Sequence, residues 1–285
     1  MSVRASRPFE RSWHPRPARW PLIVGMVLLG LSAVLPLLFM AQGAFRTEIE
    51  WANSKIGIPD SLSPAAFERA WVEGNVGGYF LNSVIVTTGA VLLSAAVASS
   101  AGYAFSKLVW RGRTFAFYFV LAWISVPPIL LMVPIYIEMV NLGLVDTYLS
   151  VIFLYTAVNT PFNVYLMTAF FKAVPGELLE AARADGAGVV SIFARIMIPM
   201  SVPALATLAI FNALYVWNEF VFALLLLHDD SVRTVTVGVL QIQGRFFHDY
   251  PGLLAGLLIV SLPMVGVYLI FQRYLVQAIS AGALK

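Results

Sequence analysis

The chain has 285 residues, no cysteine, and 18 Lys and Arg against 15 Asp and Glu. It is 60% hydrophobic and 12% charged, with a mean hydropathy of +0.82, and that charged fraction is about half of what a soluble domain carries. Disulfides and cysteine-ligated metals are excluded, His14, His228 and His248 are too scattered for a metal centre, and the basic pI of 9.2 has no aromatic-interleaved basic tract behind it that would suit nucleic acid.

A bilayer-spanning helix needs about 20 mostly apolar residues. Residues 1–20 form a basic N-terminal segment. The first span follows at 21–40; its apolar run is too long for a signal peptide and predicts a retained anchor. Residues 41–80 make a long polar connection with a short helix near Ser63–Val72, Ser63 as N-cap and Pro64 in the first turn. The next spans are Leu81–Ala104, Thr114–Met139, Leu149–Phe171, Pro203–Leu227 and Gly252–Gln272, a five-helix core over 81–272, followed by a tail at 273–285. Asn82 and Ser83 read as the cap of the second span. Pro127, Pro128, Pro134 and Pro161 predict kinks.

Lys and Arg set the orientation. Arg4, Arg7, Arg11, Arg16, Arg19, Lys107, Arg111, Arg113, Lys172, Arg183, Arg195, Arg273 and Lys285 fall on one side; Arg46, Lys55, Arg69, Arg233 and Arg245 fall on the other. Both termini are therefore expected in the cytoplasm, with 41–80 and the connection before the last span outside.

The cytoplasmic loop 172–200 is unusual for so apolar a chain, since it carries Glu180, Arg183, Asp185 and Arg195 among small residues. Pro175 suits a first turn, Glu177 and Glu180 sit where the helix dipole favours acids, and Gly186 marks a C-terminus. A second short helix is expected over about Val189–Met197. Leu178, Ala181, Ala182 and Asp185 share one shallow face, suited to the groove of another protein.

Within the membrane, Tyr155, Asn159 and Asn163 recur every fourth residue on span four, and Asn212, Tyr215 and Glu219 share a face of span five. Two readings stay open. One is a polar lining for a hydroxyl-rich solute, with Tyr155, Tyr215 and Trp217 as aromatic faces and Asn218 beside them. The other is hydrogen bonding between helices, which makes the same pattern. A polar stretch with Gln241, Gln243, Gly244 and Arg245 is expected to form an outer loop with a glycine tip, and a plain surface turn is the alternative.

Glu180-Ala181-Ala182, three residues, Gly186, nine residues, then Ile196-Met197-Ile198-Pro199 resembles the EAA loop of ABC importer permeases, with Ile198 where that family has Leu. Pro161-Phe162, Phe170-Phe171, Val174–Leu178, Trp217-Asn218-Glu219-Phe220, Gln272-Arg273-Tyr274 and Ala281–Lys285 resemble landmarks of the carbohydrate-uptake, maltose-permease-like branch (MalG-like). The resemblance implies an all-α membrane protein of the type I ABC importer permease fold, with six transmembrane helices and a cytoplasmic coupling helix. It implies a bacterial cell-membrane location and a non-catalytic subunit that carries a sugar or related polyhydroxylated solute. Its implied partners are a sister permease, two copies of an ATP-binding subunit, an extracytoplasmic solute-binding protein and the lipid bilayer. The implied docking set for the ATPase is Glu180, Ala181, Ala182, Asp185, Gly186 and Pro199, and the loop holding Gln241–Arg245 would meet the binding protein. No GxxxxGK[ST] pattern is present, so ATP hydrolysis is assigned to another chain, and no cofactor is expected. An ion-coupled secondary transporter and, less favoured, an intramembrane enzyme are the alternatives; the EAA spacing opposes the first, and the lack of a His in any span opposes the second.

The orientation has a direct check in a chain without cysteine. An impermeant thiol reagent applied to spheroplasts should label Asn53→Cys and Ser231→Cys but neither Ser2→Cys nor Arg111→Cys. Labelling at position 2 or 111 would reverse the topology.

Overall fold

The computed structural model describes residues 20–245 and 249–283, with side chains described except at 241–245 and 271–283. Every regular element among them is helical. In order these are α1 (Trp20–Ala44), α2 (Glu48–Asn53), α3 (Ala65–Val72), α4 (Val76–Lys107), α5 (Arg113–Ala122), α6 (Met132–Asn141), α7 (Tyr148–Ala173), α8 (Gly176–Ala184), α9 (Val189–Ile192), α10 (Ile198–Met200), α11 (Val202–Asn218), α12 (Val221–Leu226), α13 (Val235–Arg245) and α14 (Tyr250–Ala283).

Four helices are long and apolar enough to cross a membrane, namely α1, α4, α7 and the 250–270 part of α14. Two bent pairs bring the number to six if each is one span. The α5–α6 pair turns by 90° at Val126 and Pro127. Pro127 and Pro128 supply no N–H and hold the residues before them extended, so two short 3-10 turns replace the α-helix there. Pro161 has no such effect, and α7 continues through it; Pro134 sits in the first turn of α6, where a missing N–H costs nothing. The second bend, of 73°, separates the α9–α10 segment from α11 at Ser201.

Lipid removes most of the hydrophobic drive between helices, so close backbone approach decides the packing. α4 lies along α7 and also touches α11. Its contact stripe is Val86, Ala90, Ser94, Ala98 and Gly102, small residues at every fourth position, all buried. At Gly102 a Cβ would come within 2.8 Å of the Met167 Cβ and 3.1 Å of the Thr168 nitrogen, so only glycine admits this approach. Two apolar clusters fill the bundle. One, around Leu154, Val216, Phe222 and Leu226, surrounds the α7–α11–α12 contact; the other, around Met167, Phe171, Leu179 and Met197, lies under α8. A third, around Tyr79, Trp217 and Val235, joins α3, α13 and α14. α1 packs mainly against α14 and leaves Leu22, Met26, Leu29 and Leu35 exposed, as suits a helix apolar on all sides in a bilayer.

The sequence expectations need four corrections. The helix expected near Ser63 starts at Ala65, with Pro64 as its N-cap residue. α4 begins at Val76, after Asn75 turns the chain with a φ of 53°. Asn82 and Ser83 are thus inside the helix, where Asn82 donates to the Ser231 and Arg233 carbonyls and Ser83 accepts from the Val235 N–H. Span five is not continuous to Leu227, because α11 ends at Asn218 and α12 restarts after a break. The polar loop expected before the last span is helical as α13, so Gln241, Gln243, Gly244 and Arg245 form its last turn rather than a glycine-tipped loop. Its β-branched residues Val235, Val237 and Val239 are buried against α4 and α14, and that packing overrides weak helix propensity. The side chains of Gln241, Gln243 and Arg245, and of Gln272, Arg273 and Tyr274, lie outside those described. Residues 1–19, and Leu284 and Lys285 of the tail, lie outside the described residues; the rest of 273–285 continues α14.

On the end away from α8, Arg69 of α3 donates to both oxygens of Asp249, at 2.8 and 3.1 Å. The carboxylate raises the Arg69 pKa above its ordinary value. The same Asp249 caps α14 by accepting from the Gly252 N–H.

Gly102→Val should force α4 and α7 apart where the α7 backbone comes close and destabilise the bundle by about 1–3 kcal/mol. Thermal unfolding in detergent should show the loss, while Gly176→Val, where nothing approaches within 4 Å, should not. Equal melting points for the two variants would remove Gly102 as the close-contact position.

Candidate functional site

The charged segment after α7 folds as two short helices on a fixed base. Val174 leaves α7 with extended backbone, and α8 starts at Gly176. It ends in a Schellman arrangement, in which the Gly186 N–H donates to the Arg183 carbonyl and the Ala187 N–H reaches back to the Ala182 carbonyl. Gly186 has a φ of +83°, a conformation that strains any residue with a Cβ although the space around it is open. The first helix, the glycine turn and the second helix stand where the sequence puts them.

The underside of this hairpin is anchored. Leu179 is 3% exposed and packs with Phe171, Val174, Ile192 and Met197. Tyr103 of α4 stacks edge-on to Phe171, lies against Phe193, and donates to the Val189 carbonyl at 3.3 Å. Lys107, the last residue of α4, donates to the Val174 carbonyl at 2.6 Å. The outer surface is free: Leu178, Glu180, Ala181, Asp185 and Gly186 are exposed. Ala182, expected on that face, turns partly inward against the cluster below. Pro199 is exposed but sits beyond the hairpin, at the approach to the bend.

That approach has its own geometry. Phe193–Met197 forms a π turn in which the Ile198 N–H bonds to the Phe193 carbonyl. Pro199 has no N–H to continue the ladder, and the wider turn lets the chain pass it. Ser201, fully buried, donates its hydroxyl to the Ile198 carbonyl, and its N–H bonds to the Met197 and Ile198 carbonyls. The hairpin is thereby joined to α11 by a bonded corner rather than a loose loop.

The polar residues inside the bundle divide into two groups. Asn163 and Asn212, expected to line a path, face each other instead. Each amide donates to the other's oxygen, at 3.0 and 3.1 Å, and both residues are at most 2% exposed. Asn212 also donates to the Leu208 carbonyl. Trp217, expected as an aromatic face for a solute, is 4% exposed, lies edge-on to Phe80, and donates to the Val260 carbonyl of α14. Tyr155 is buried at 1% and donates to Glu219 at 2.6 Å. These residues hold helices together because amides, indoles and phenols without partners are costly in hydrocarbon. Tyr215 and Asn218 remain exposed, and Asn159 and Glu219 are half-buried. Asn159 and Asn218 each donate to a carbonyl one turn back, which leaves their amide oxygens available.

The sequence reading missed Tyr103, Lys107 and Leu179 as the base of the hairpin. Leu179, next to the exposed Leu178, could have been assigned inward from the helical period; the two α4 residues carry no local signal. The fourfold stripe of small residues on α4, by contrast, is a signal the sequence carries by itself.

The bundle, with its broken spans and the charged hairpin joined to one end, has the type I ABC importer permease fold. The fold matches the crystal structure of a bacterial ABC transporter involved in the import of the acidic polysaccharide alginate, with a TM-score of 0.76 and 24% identity over 92% of this chain and 99% of that one. The chain belongs to the family described as binding-protein-dependent transport system inner membrane component, which matches residues 90–281. Relatives include a probable ABC transporter permease protein of Bacillus subtilis, 34% identical over 92% of this chain and 87% of that protein. A diacetylchitobiose uptake system permease protein of Streptomyces coelicolor is 31% identical over 91% of this chain and 87% of its own. A melibiose/raffinose/stachyose import permease protein of Bacillus subtilis is 34% identical over 82% and 85%.

Replacing Asn163 or Asn212 singly by Leu should cost about 1–3 kcal/mol, because each leaves a buried amide without its partner. The double Leu variant should cost less than the sum. Strictly additive losses in a thermal double-mutant cycle would show that the two amides do not act as a pair.

Proposed function

We propose that the chain is one of two permease subunits that together form the path for a sugar or related polyhydroxylated solute. A binding protein delivers the solute outside, and ATP hydrolysis on separate subunits drives its passage. The observation that carries this reading is the α8–α10 hairpin, which is charged and exposed on its outer face and locked to α4, α7 and α11 beneath. Such an element suits docking in a groove of an ATPase subunit, because force applied to it reaches three spans at once. Glu180 and Asp185 offer charge to that groove, Ala181 lets it close, and Gly186 holds the turn.

The solute class is supported by relatives named for diacetylchitobiose, for melibiose, raffinose and stachyose, and for arabinooligosaccharides. Tyr215, Asn218 and Asn159 are the proposed lining, since they are polar, within the spans and accessible. Aromatic faces and amides suit a solute that is apolar on its ring face and hydroxylated at its edges. The hairpin side is assigned to the cytoplasm from the distribution of Lys and Arg. The last turn of α13, with Gln241–Arg245, remains on this reading a contact for the binding protein on the opposite side.

The reading is tested by purifying the tagged chain from its native host membranes in mild detergent. An ATP-hydrolysing subunit should accompany it and cross-link through Ala181→Cys. Glu180→Lys and Gly186→Val should each lower the co-purified ATPase activity about tenfold or more, the effect of losing one charge-assisted contact or straining one turn. ATPase activity that stays undiminished with both variants would overturn the docking assignment.

A further inference from the structure

Glu219 was expected to line the path, yet its polar atoms are already engaged. It is the residue at which span five breaks, with extended backbone at φ −69° and ψ 129°. Its Oε1 accepts from the Phe222 N–H at 3.0 Å, and its Oε2 from the Ala223 N–H at 3.1 Å. The same Oε2 accepts from the Tyr155 hydroxyl of α7 at 2.6 Å. Its own carbonyl accepts from the Thr236 hydroxyl of α13 at 3.0 Å, and its N–H returns to the Val216 carbonyl of α11. One residue therefore bonds α7, α11, α12 and α13.

The chemistry explains why an acid stands here. A helix restarting inside a bilayer exposes its first N–H groups to hydrocarbon, and no water replaces the missing partners. A carboxylate satisfies two of them and keeps capacity for a third donor. A glutamine offers one oxygen, and its amide would face the Ala223 N–H and the Tyr155 hydroxyl.

The position of the node adds a second observation. α7 runs without interruption from Tyr155 to the base of the hairpin, and α11 rises from the Ser201 corner that ends it. Both therefore lead from the hairpin to Glu219. On the far side α12 and α13 carry the connection over residues 227–234, which is itself held by Asn82 and by Asp146.

We propose that Glu219 is a positioning residue for transport, the joint through which displacement of α7 and α11 by the hairpin is passed to α12 and α13. The proposal rests on the ATP-driven permease reading above. Without the joint, apolar packing and the short backbone link through Phe220 still hold α12 against α7 and α11, but no directional bond fixes it to their movement.

The chain's lack of cysteine permits a clean distance measurement. Spin labels at Leu224→Cys on α12 and Ile85→Cys on α4, both exposed positions, are followed by double electron–electron resonance in the complete complex in lipid nanodiscs, nucleotide-free and trapped with ATP and vanadate. The native background should show a distance that shifts on trapping. In Tyr155→Phe and in Glu219→Gln the shifted population should fall about tenfold, the factor lost with one hydrogen bond to a carboxylate. The two together should be no worse than Glu219→Gln alone, and Tyr155→Phe should still assemble, with a melting point lowered only by the few degrees that one lost hydrogen bond costs. A shift retained in both variants would overturn the joint, and so would failure of Tyr155→Phe to assemble, which would make the bond structural only. No shift in the native background would instead count against the ATP-driven reading.

Discussion

Every backbone N–H and C=O within the membrane must find its partner inside the protein, and this constraint governs the structure at each point where a span is interrupted. Continuous helices meet it automatically, as α1, α4, α7 and most of α14 do. The interruptions need individual solutions. At Val126–Leu131 prolines remove donors and 3-10 turns bond what is left. At Ser201 a buried hydroxyl and a π turn close the corner. At Glu219 a carboxylate takes the place of the missing carbonyls. The breaks are where this chain spends its polar side chains, and two of the three lie along the route from the charged hairpin to the far end of the bundle.

The packing around them is of a different kind. α4 and α7 meet through small residues and backbone contact at Gly102, which leaves little freedom to slide. The Asn163–Asn212 pair adds directional bonds between α7 and α11, and Trp217 fastens α11 to α14. Within such a frame, the hairpin's base residues Tyr103, Lys107 and Leu179 let a load on α8 fall on spans rather than on a flexible linker. The bent α5–α6 pair has no buried residue, so its apolar surface faces whatever surrounds the isolated subunit.

Much of this was legible in the sequence. The hairpin was read closely, because helix-ending glycine, dipole-favoured acids and alanine propensity act within a few residues and need no tertiary partner. The spans were read from apolar length alone. α13 is not legible in that way, because its polar end with Gly244 reads as a loop and its β-branched valines have weak helix propensity, which only burial against α4 and α14 overrides. Asn82 and Ser83 fall inside α4 rather than at its cap, because the helix start at Val76 depends on the left-handed turn at Asn75.

The sequence by itself determined the membrane class, the order of the spans, the hairpin and the family resemblance, since each follows from local composition or spacing. Tertiary structure alone decided which polar residues are accessible. Asn159 and Asn163 share a helix face and a residue type, yet one keeps an amide oxygen free and the other is closed in a pair. Tyr155 and Tyr215 differ in the same way, one buried on Glu219 and the other exposed. A helical period fixes direction around an axis, but it does not say which neighbour stands there. In a bilayer that neighbour decides whether a polar group bonds a helix or faces a solute.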